Sequence, residues 1–201
     1  MRHEPDSTGT LRPALVATAV SLLMFGLAYP AAVVMVGRAA FPAQARGSLI
    51  ERDGRAIGSD LVGQRFEGNG YLTGRPSAVG YDPAAVAGSN LAPSHPALRE
   101  AVAARARAIA DREIGAPTRL PVDALTASGA GIDPHISPAY AELQVARIAL
   151  ARGIAPQQVR EVIARHTRMP TLGVLGQPRV HVLGVNLALD DSRVHDESPA
   201  P

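Results

Sequence analysis

The chain has 201 residues, a formal net charge of +2, no cysteine, and only 3% aromatic residues. The lack of cysteine excludes disulfides, thiolate metal sites and cysteine nucleophiles. All 20 basic residues are arginines dispersed among 18 acidic residues, which excludes lysine-based Schiff-base or P-loop chemistry and does not fit the clustered basic face of nucleic-acid-binding proteins.

An uncharged segment runs from Ala14 to Gly37. At the helical rise of ~1.5 Å per residue it reaches about 36 Å, enough to cross a hydrocarbon core of ~30 Å. Arg12 and Arg38 flank it, where guanidinium groups reach lipid headgroups. The sequence therefore predicts an N-terminal tail over residues 1–13 and one transmembrane helix over residues 14–37.

A signal peptide and a buried helix both fit this segment less well than a membrane anchor. A cleaved signal peptide has a shorter apolar core with a small-x-small site close behind it, whereas Ala43-Gln44-Ala45 lies far downstream. A buried helix of a soluble protein is disfavoured because so small a domain could not cover it. Pro30 is expected to kink the helix. Small residues around the kink favour packing against partner helices, and an anchor that touches only lipid remains the alternative.

The remainder predicts a linker over residues 38–46, one soluble α+β domain over residues 47–190 and a flexible tail over residues 191–201. Asp53-Gly54 between two short apolar runs predicts a hairpin, because both turn positions favour positive φ. Residues 61–66 are a candidate third strand.

About three helices are expected in the domain. The first is capped by Ser94, starts near Pro96 and stops at Gly115, since such residues begin and end helices. The second starts after Ser137 and runs to Gly153, and the third covers residues 156–166. Alternating apolar residues then predict a C-terminal strand over residues 179–189: Leu183, Val185, Leu187 and Leu189.

The densest run of polar residues and glycines lies at residues 121–138. Ser128, Asp133 and His135 are the residue types of a serine hydrolase, but the G-x-S-x-G frame of a nucleophile elbow is missing. Asp133 and His135 could bind zinc together with His166 or His181, but the spacing matches no known zinc motif.

The same run offers a weak phosphate cradle. Backbone N–H groups at Ser128, Gly129 and Gly131 could hold an anion, although no lysine or dinucleotide fingerprint accompanies them. The simpler interpretation is a structural loop in which Asn90, Asp133 and Ser137 satisfy buried backbone groups. The residues alone thus favour a membrane-anchored domain without catalytic or metal-binding residues.

Several motifs occur in order along the chain and together resemble the KdpC family of bacterial Kdp potassium-transport systems. The most specific is Thr126-Ala127-Ser128-Gly129-x-Gly131-x-Asp133-Pro134-His135-Ile136-Ser137-Pro138. The others are Tyr29-Pro30, Gly74-Arg75-Pro76-Ser77, Gly88-Ser89-Asn90-Leu91, Gln144-x-x-Arg147, Ala151-Arg152-Gly153 and Asn186-Leu187-Ala188-Leu189-Asp190.

The resemblance implies an accessory, non-hydrolysing subunit of an ATP-driven, high-affinity potassium importer. Its expected partners are a KdpA-like channel subunit, a KdpB-like P-type ATPase subunit and a small KdpF-like peptide. Family descriptions also assign it a catalytic-chaperone role that raises the ATP affinity of the ATPase subunit. The resemblance implies no cofactor of its own, with ATP and K⁺ bound by the complex.

The resemblance further implies a single-pass protein of the bacterial inner membrane with an extracytoplasmic domain, a topology that the flanking charges do not fix. It leaves Pro30, Ser89, Asn90, Asp133, His135 and Ser137 as structural or interaction candidates, without catalytic or metal-binding residues. A membrane-anchored extracytoplasmic enzyme and a ligand-binding scaffold are the alternatives.

Overall fold

A computed structural model describes residues 7–196 of the chain, with side chains over residues 9–191. The chain divides into two compact units, residues 1–49 and residues 50–201.

The first unit is built around a long helical segment. It comprises α1 (Ser7–Leu23), a π-helical turn (Met24–Ala28) and α2 (Tyr29–Ala40), followed by the short helix α3 (Pro42–Ala45). Over Gly9–Ala40 the mean hydropathy reaches 2.1 and the most apolar window is wholly unburied. Among the described residues this is the one helix long and apolar enough to cross a membrane, and it includes the whole predicted span.

The disturbance expected at Pro30 takes the form of the π-helical turn. The N–H of Tyr29 donates to the Met24 carbonyl, five residues back rather than four. Pro30 has no N–H of its own, so the helix cannot continue its normal bonding pattern through this point. A single π turn of this kind is one of the ways in which helices absorb such a defect.

A two-stranded sheet of β1 (Leu49–Arg52) and β2 (Arg55–Ser59) stands at the start of the second unit, with Leu49 as the last residue of the first. Asp53 and Gly54 have φ of 51° and 72°, which confirms the predicted hairpin turn. The predicted third strand over residues 61–66 is wrong. Val62 makes only an isolated bridge to Ser59, and the Gly63 N–H instead donates to the Ile132 carbonyl at 2.8 Å.

The described part of this unit contains six helices rather than about three. They are α4 (Pro96–Arg112), α5 (Val122–Leu125), α6 (Pro138–Leu143), α7 (Val145–Arg152), α8 (Pro156–Arg165) and α9 (Val182–Asp196). The predicted second helix divides at Gln144, and α5 is a single turn that periodicity does not detect.

Two helix caps can be compared directly with the sequence. Ser137 caps α6 as predicted, its hydroxyl accepting from the Tyr140 N–H at 3.0 Å. The cap of α4 is His95 and not Ser94, because the His95 Nδ1 accepts from the Ala97 N–H at 3.1 Å. Gly115 has φ of 69° and follows the end of α4 at Arg112 by three positions.

A second sheet has the order β3-β5-β4, all antiparallel, with β3 (His135–Ile136), β4 (Thr167–Arg168) and β5 (Arg179–His181). The predicted strand over residues 179–189 is therefore wrong beyond His181. From Val182 the chain forms α9, whose fully or nearly fully buried residues follow helical spacing: Val182, Leu183, Val185, Asn186 and Leu189. A strand would place Asn186 on the face opposite Val185 and Leu187, whereas its burial beside Val185 shows the stripe of a helix.

The core lies between α6, α7, α8, α9 and β5. Its side chains are mainly aliphatic, as the composition requires, with Tyr140 as a buried aromatic residue. The largest fully buried aliphatic side chains are Leu72, Val145, Ile148, Val159, Val180, Val185 and Leu189. Leu72 belongs to neither a helix nor a strand, so the segment around it must be held in another way.

Candidate functional site

Residues 74–90 and 121–137 interlock into one structure, which we call the loop cluster. The Ser128 N–H donates to the Pro76 carbonyl at 3.0 Å. The Ser77 hydroxyl donates to the Gly131 carbonyl at 2.6 Å. The fold thus joins the glycine-rich run of the sequence to a segment about fifty residues earlier.

The glycine-rich run is folded onto itself. The Ser128 side chain is buried, and its hydroxyl accepts from the Gly131 N–H at 2.9 Å. Gly131 has φ of 74°, and a Cβ there would lie 2.8 Å from the Ala87 carbonyl oxygen. Two of the N–H groups proposed to cradle an anion, those of Ser128 and Gly131, therefore already donate within the protein. The chain continues into β3 rather than directly into a helix.

Asp133 holds two loops together. Its Oδ2 lies 3.2 Å from the Arg75 Nη1, and its Oδ1 accepts from the His135 N–H at 3.0 Å. The Tyr81 hydroxyl donates to the Arg75 carbonyl. The pKa of Tyr81 is raised to about 12, mainly by burial. The phenol therefore keeps the proton that it donates in this bond.

Ser137 is fixed by an aspartate that the sequence did not single out. Both oxygens of Asp123 are used, one accepting from the Ser137 N–H at 2.7 Å and the other from its hydroxyl at 2.9 Å. The hydroxyl is thereby turned so that its lone pair faces the Tyr140 N–H at the start of α6. Asp123 and Ser137 together attach α5 to α6.

His135 faces His181 directly across the β3–β5 pair, with the ring centroids 5.3 Å apart. The His181 Nδ1 accepts from the Gly184 N–H at 3.1 Å, which places its proton on Nε2, 3.4 Å from the Asp60 carboxylate. Burial lowers the pKa of both rings, and the His181 charge further lowers that of His135. Both histidines are therefore neutral near pH 7.

The zinc alternative is not assembled by the fold. Among residues 9–191, whose side chains the structure describes, no group of three or more histidine and carboxylate side chains is arranged to hold a metal ion. The geometry does not support the hydrolase alternative either, because the Ser128 hydroxyl is buried and hydrogen-bonded within a turn.

Two clefts border the loop cluster, and Arg75 lines both. One, of about 450 Å³, is lined by three of the predicted site residues, Asp133, His135 and Ser137, together with Arg75, Asp123 and Arg179. The other, of about 660 Å³, is lined by arginines and aromatic residues, among them Arg65, Tyr81, Arg105, Arg112 and Tyr140. We call the smaller one the Asp133 cleft.

The remaining candidates lie elsewhere. Ser89 and Asn90 are exposed, and Asn90 has φ of 51°, so the expectation that Asn90 satisfies a buried backbone group is wrong. They follow Gly88, which packs so tightly against Gly129 that a Cβ would lie 2.8 Å from its carbonyl oxygen. Pro30 lies in the first unit, within the long helical segment.

The most strongly buried polar residues form a clasp around residues 69–73, which we call the polar clasp. The Asn186 amide bonds both the N–H and the carbonyl of Leu72, at 2.8 and 2.9 Å. The Gln144 amide does the same at Thr73, at 2.9 and 3.1 Å. Two side-chain amides thus replace the neighbouring strand that this extended segment lacks.

Arginines complete the polar clasp. Arg147 donates to the carbonyls of Asn69 and Tyr71 and pairs with Glu113 at 3.0 Å, with both side chains almost wholly buried. Arg152 donates to the carbonyls of Gly70 and Leu189. Gln144, Arg147, Arg152 and Asn186 all occur in the family motifs, but the sequence alone assigned them no role. For Gln144 and Arg147 the signal was the presence of Gln and Arg at positions that helical periodicity assigns to a buried face. For Asn186 there was no such signal, because the predicted strand placed it on the face opposite the apolar residues.

The chain is similar in sequence to proteins of one known family. Residues 11–191 match the family described as "KdpC: K+-transporting ATPase, c chain". A potassium-transporting ATPase KdpC subunit from Sorangium cellulosum (strain So ce56) is 54% identical over 188 residues, covering 91% of this chain and 98% of the relative. Proteins of the same name from Polaromonas naphthalenivorans (strain CJ2) and Shewanella putrefaciens (strain CN-32) are 51% and 52% identical. They cover 90% and 87% of this chain, and 93% and 87% of the relatives.

Proposed function

Because the chain belongs to the KdpC family of K⁺-transporting ATPase subunits, we propose that it is the accessory, non-hydrolysing subunit of an ATP-driven potassium importer. The observation that carries this proposal is the family match over residues 11–191, which includes both the hydrophobic helix and the domain. The similarity therefore extends over the hydrophobic helix as well as the domain.

We propose that it assembles with a KdpA-like channel subunit, a KdpB-like ATPase subunit and a small KdpF-like peptide. In this arrangement the hydrophobic helix crosses the bacterial inner membrane once and the domain is extracytoplasmic. The π-helical turn at Met24–Ala28 supports helix contacts within the complex, since such turns frequently occur at functional sites.

The geometry of the loop cluster supports a structural role for Ser128, Gly129 and Gly131 rather than nucleotide binding. The Ser128 and Gly131 N–H groups are already used. We therefore propose that this chain contributes no ATP-binding or catalytic residues, and that ATP and K⁺ are bound elsewhere in the complex. A chaperone effect on ATP affinity would then act through subunit contacts.

Nucleotide titration tests this point. We expect ATP added to the full chain in detergent to leave the amide NMR signals of residues 126–131 unchanged. Specific shifts in these signals that disappear in Gly129→Val, while Gly37→Val in the hydrophobic helix leaves them intact, would contradict the proposal. Gly129 is suitable because a Cβ there meets nothing within 4 Å.

We further propose that the Asp133 cleft contacts a partner subunit. Val122 lines it and is 74% exposed, and an apolar side chain beside polar groups is typical of an interface. Leu150 on α7 is also 74% exposed but does not line either cleft, so it provides a matched control.

Co-purification tests both the assembly and the contact. The tagged chain is co-expressed with the two large subunits, and the recovered complex is assayed for potassium-stimulated ATP hydrolysis. We expect Val122→Glu to lower recovery severalfold and Leu150→Glu to leave it unchanged. Equal recovery for both variants would contradict the contact, whereas failure of the unmodified chain to recover either subunit would contradict the assembly.

A further inference from the structure

A surface loop between β4 and β5 exposes large apolar side chains. Met169, Leu172, Val174 and Leu175 are 69%, 86%, 78% and 60% exposed. We call residues 169–175 the apolar loop. Large apolar side chains that stand together on a surface mark contacts with proteins or membranes, whereas scattered ones do not.

The backbone of the apolar loop is ordered. Thr171 and Leu175 exchange two hydrogen bonds, with N···O distances of 2.9 and 3.0 Å. Leu172 has φ of 55°, a conformation that is unfavourable for a residue with a side chain. The local structure therefore holds Leu172 outward despite a backbone cost, instead of letting it fold back onto the core.

The charges around the apolar loop have one sign along the chain. Arg165, Arg168 and Arg179 flank it, and no acidic residue occurs between Glu161 and Asp190. Arg168 makes a 3.4 Å ion pair with Asp60 but remains 59% exposed. An apolar tip with basic residues at its base is complementary to an anionic lipid surface, where the apolar groups enter the interface and guanidinium groups meet headgroups.

The chain itself limits the distance between this domain and a bilayer. The membrane-type helix ends at Ala40 and β1 begins at Leu49, so residues 41–48 form the connection. Fully extended, this connection reaches at most about 30 Å. A domain tethered so closely meets the membrane surface at a high effective concentration, so even a weak contact is populated.

We propose that the apolar loop inserts into the interfacial layer of the anionic bilayer that holds the N-terminal helix, giving the domain a second membrane contact. This inference rests on the hydrophobic helix, the exposure of the loop and its charges, and not on the proposed transport function. The occupant is the lipid surface, and a protein partner is an outcome of the test.

The natural absence of cysteine makes the test direct. Leu172→Cys and Val174→Cys are each spin-labelled in the full chain and reconstituted alone into vesicles of phosphatidylcholine and phosphatidylglycerol. Leu150→Cys is the matched control, because Leu150 is also highly exposed but lies on α7. The measurement is the ratio of the label's collision rate with oxygen, which concentrates in lipid, to that with a water-soluble nickel complex.

We expect this ratio to be severalfold higher at Leu172 and Val174 than at Leu150, and to fall when phosphatidylcholine alone is used. Equal ratios at the three positions would overturn the proposal. Loss of nickel access at Leu172 only after the two large subunits are added would also overturn it, and would assign the loop to a protein contact. Circular dichroism confirms that each labelled variant is folded.

Discussion

Residues 69–73, which the polar clasp surrounds, and the apolar loop both lack regular strands and long helices, yet they are held in opposite ways. Residues 69–73 have their backbone groups bonded by buried side chains of Gln144, Arg147 and Asn186. Residues 169–175 bond mostly to themselves and expose their apolar side chains. Neither segment has regular secondary structure, so the difference between them is whether buried polar groups hold the backbone. Where they do, at residues 69–73, we expect the segment to be needed for stability. Where they do not, at residues 169–175, the segment is free to serve a function.

The largest effect is expected at the charged centre of the clasp. Arg147→Ala leaves the Glu113 carboxylate, fully buried at its side chain, with only the partly exposed Arg112 as a partner. Removing one member of a buried pair typically costs about 3–5 kcal/mol. Chemical unfolding of the full chain in detergent, followed by circular dichroism, measures the loss.

The exposed pair Arg160–Glu142 supplies the control for this prediction. Arg160→Ala should leave the unfolding midpoint unchanged, because exposed ion pairs contribute little to stability. The double variant Arg147→Met with Glu113→Leu should recover part of the lost stability, since it removes the unpaired charge. Equal midpoints for Arg147→Ala and Arg160→Ala would break the comparison between the two regions.

Asn186 tests the neutral part of the clasp. Asn186→Ala leaves both the N–H and the carbonyl of the fully buried Leu72 without their partner. Each unsatisfied buried group costs about 1–3 kcal/mol, so a loss of at least about 2 kcal/mol is expected in the same unfolding assay. Gln157→Ala, at an exposed amide of α8, should stay within about 0.5 kcal/mol of the unmodified chain. Rapid hydrogen exchange at Leu72 in Asn186→Ala would locate the defect.

The histidine pair of the second sheet should make the domain sensitive to acid. Burial lowers the folded-state pKa of His135 and His181 below the ordinary value of 6.5. The unfolded chain therefore binds more protons than the folded chain once the pH drops toward 6.5. Stability is highest above this pH and falls below it until the folded-state pKa is reached, by no more than ~1.4 kcal/mol per pH unit for each histidine.

Unfolding midpoints measured between pH 8 and pH 5 check this dependence. The double variant His135→Gln and His181→Gln should flatten the curve over this range. An unmodified chain that becomes more stable as the pH falls from 7 to 6 would contradict the assignment of neutral buried rings.

The sequence could predict those elements whose cause is local. The Asp53-Gly54 turn, the Ser137 cap and the hydrophobic helix each depend on a few neighbouring residues, and each is confirmed. The C-terminal strand is wrong because Asn186 looks solvent-facing until its partner at Leu72 is known. That contact joins positions far apart in the chain, and no local pattern reveals it.

In the candidate site, too, local features could be predicted from the sequence and long-range contacts could not. The motif residues Ser128, Gly131, Asp133, His135 and Ser137 do meet in one loop cluster. The side chains that fix them were not predicted, because the Arg75–Asp133 and Asp123–Ser137 contacts each join separate segments of the cluster.

The smallest expected effect on stability is at Leu172, and its sign is informative. Glycine adopts φ of 55° without the steric cost of about 1–2 kcal/mol that an L-residue incurs, although it loses about 0.5–1 kcal/mol more chain entropy on folding. Since Leu172 is 86% exposed, little burial is lost. Leu172→Gly should therefore be neutral or stabilising by up to about 1.5 kcal/mol, measured by the same unfolding assay.

A loss comparable to that of Asn186→Ala would mean that Leu172 is needed for stability, and the contrast between the two segments would fail. A gain would show that the fold tolerates a strained, exposed leucine for a reason other than stability, as a membrane-contacting loop requires.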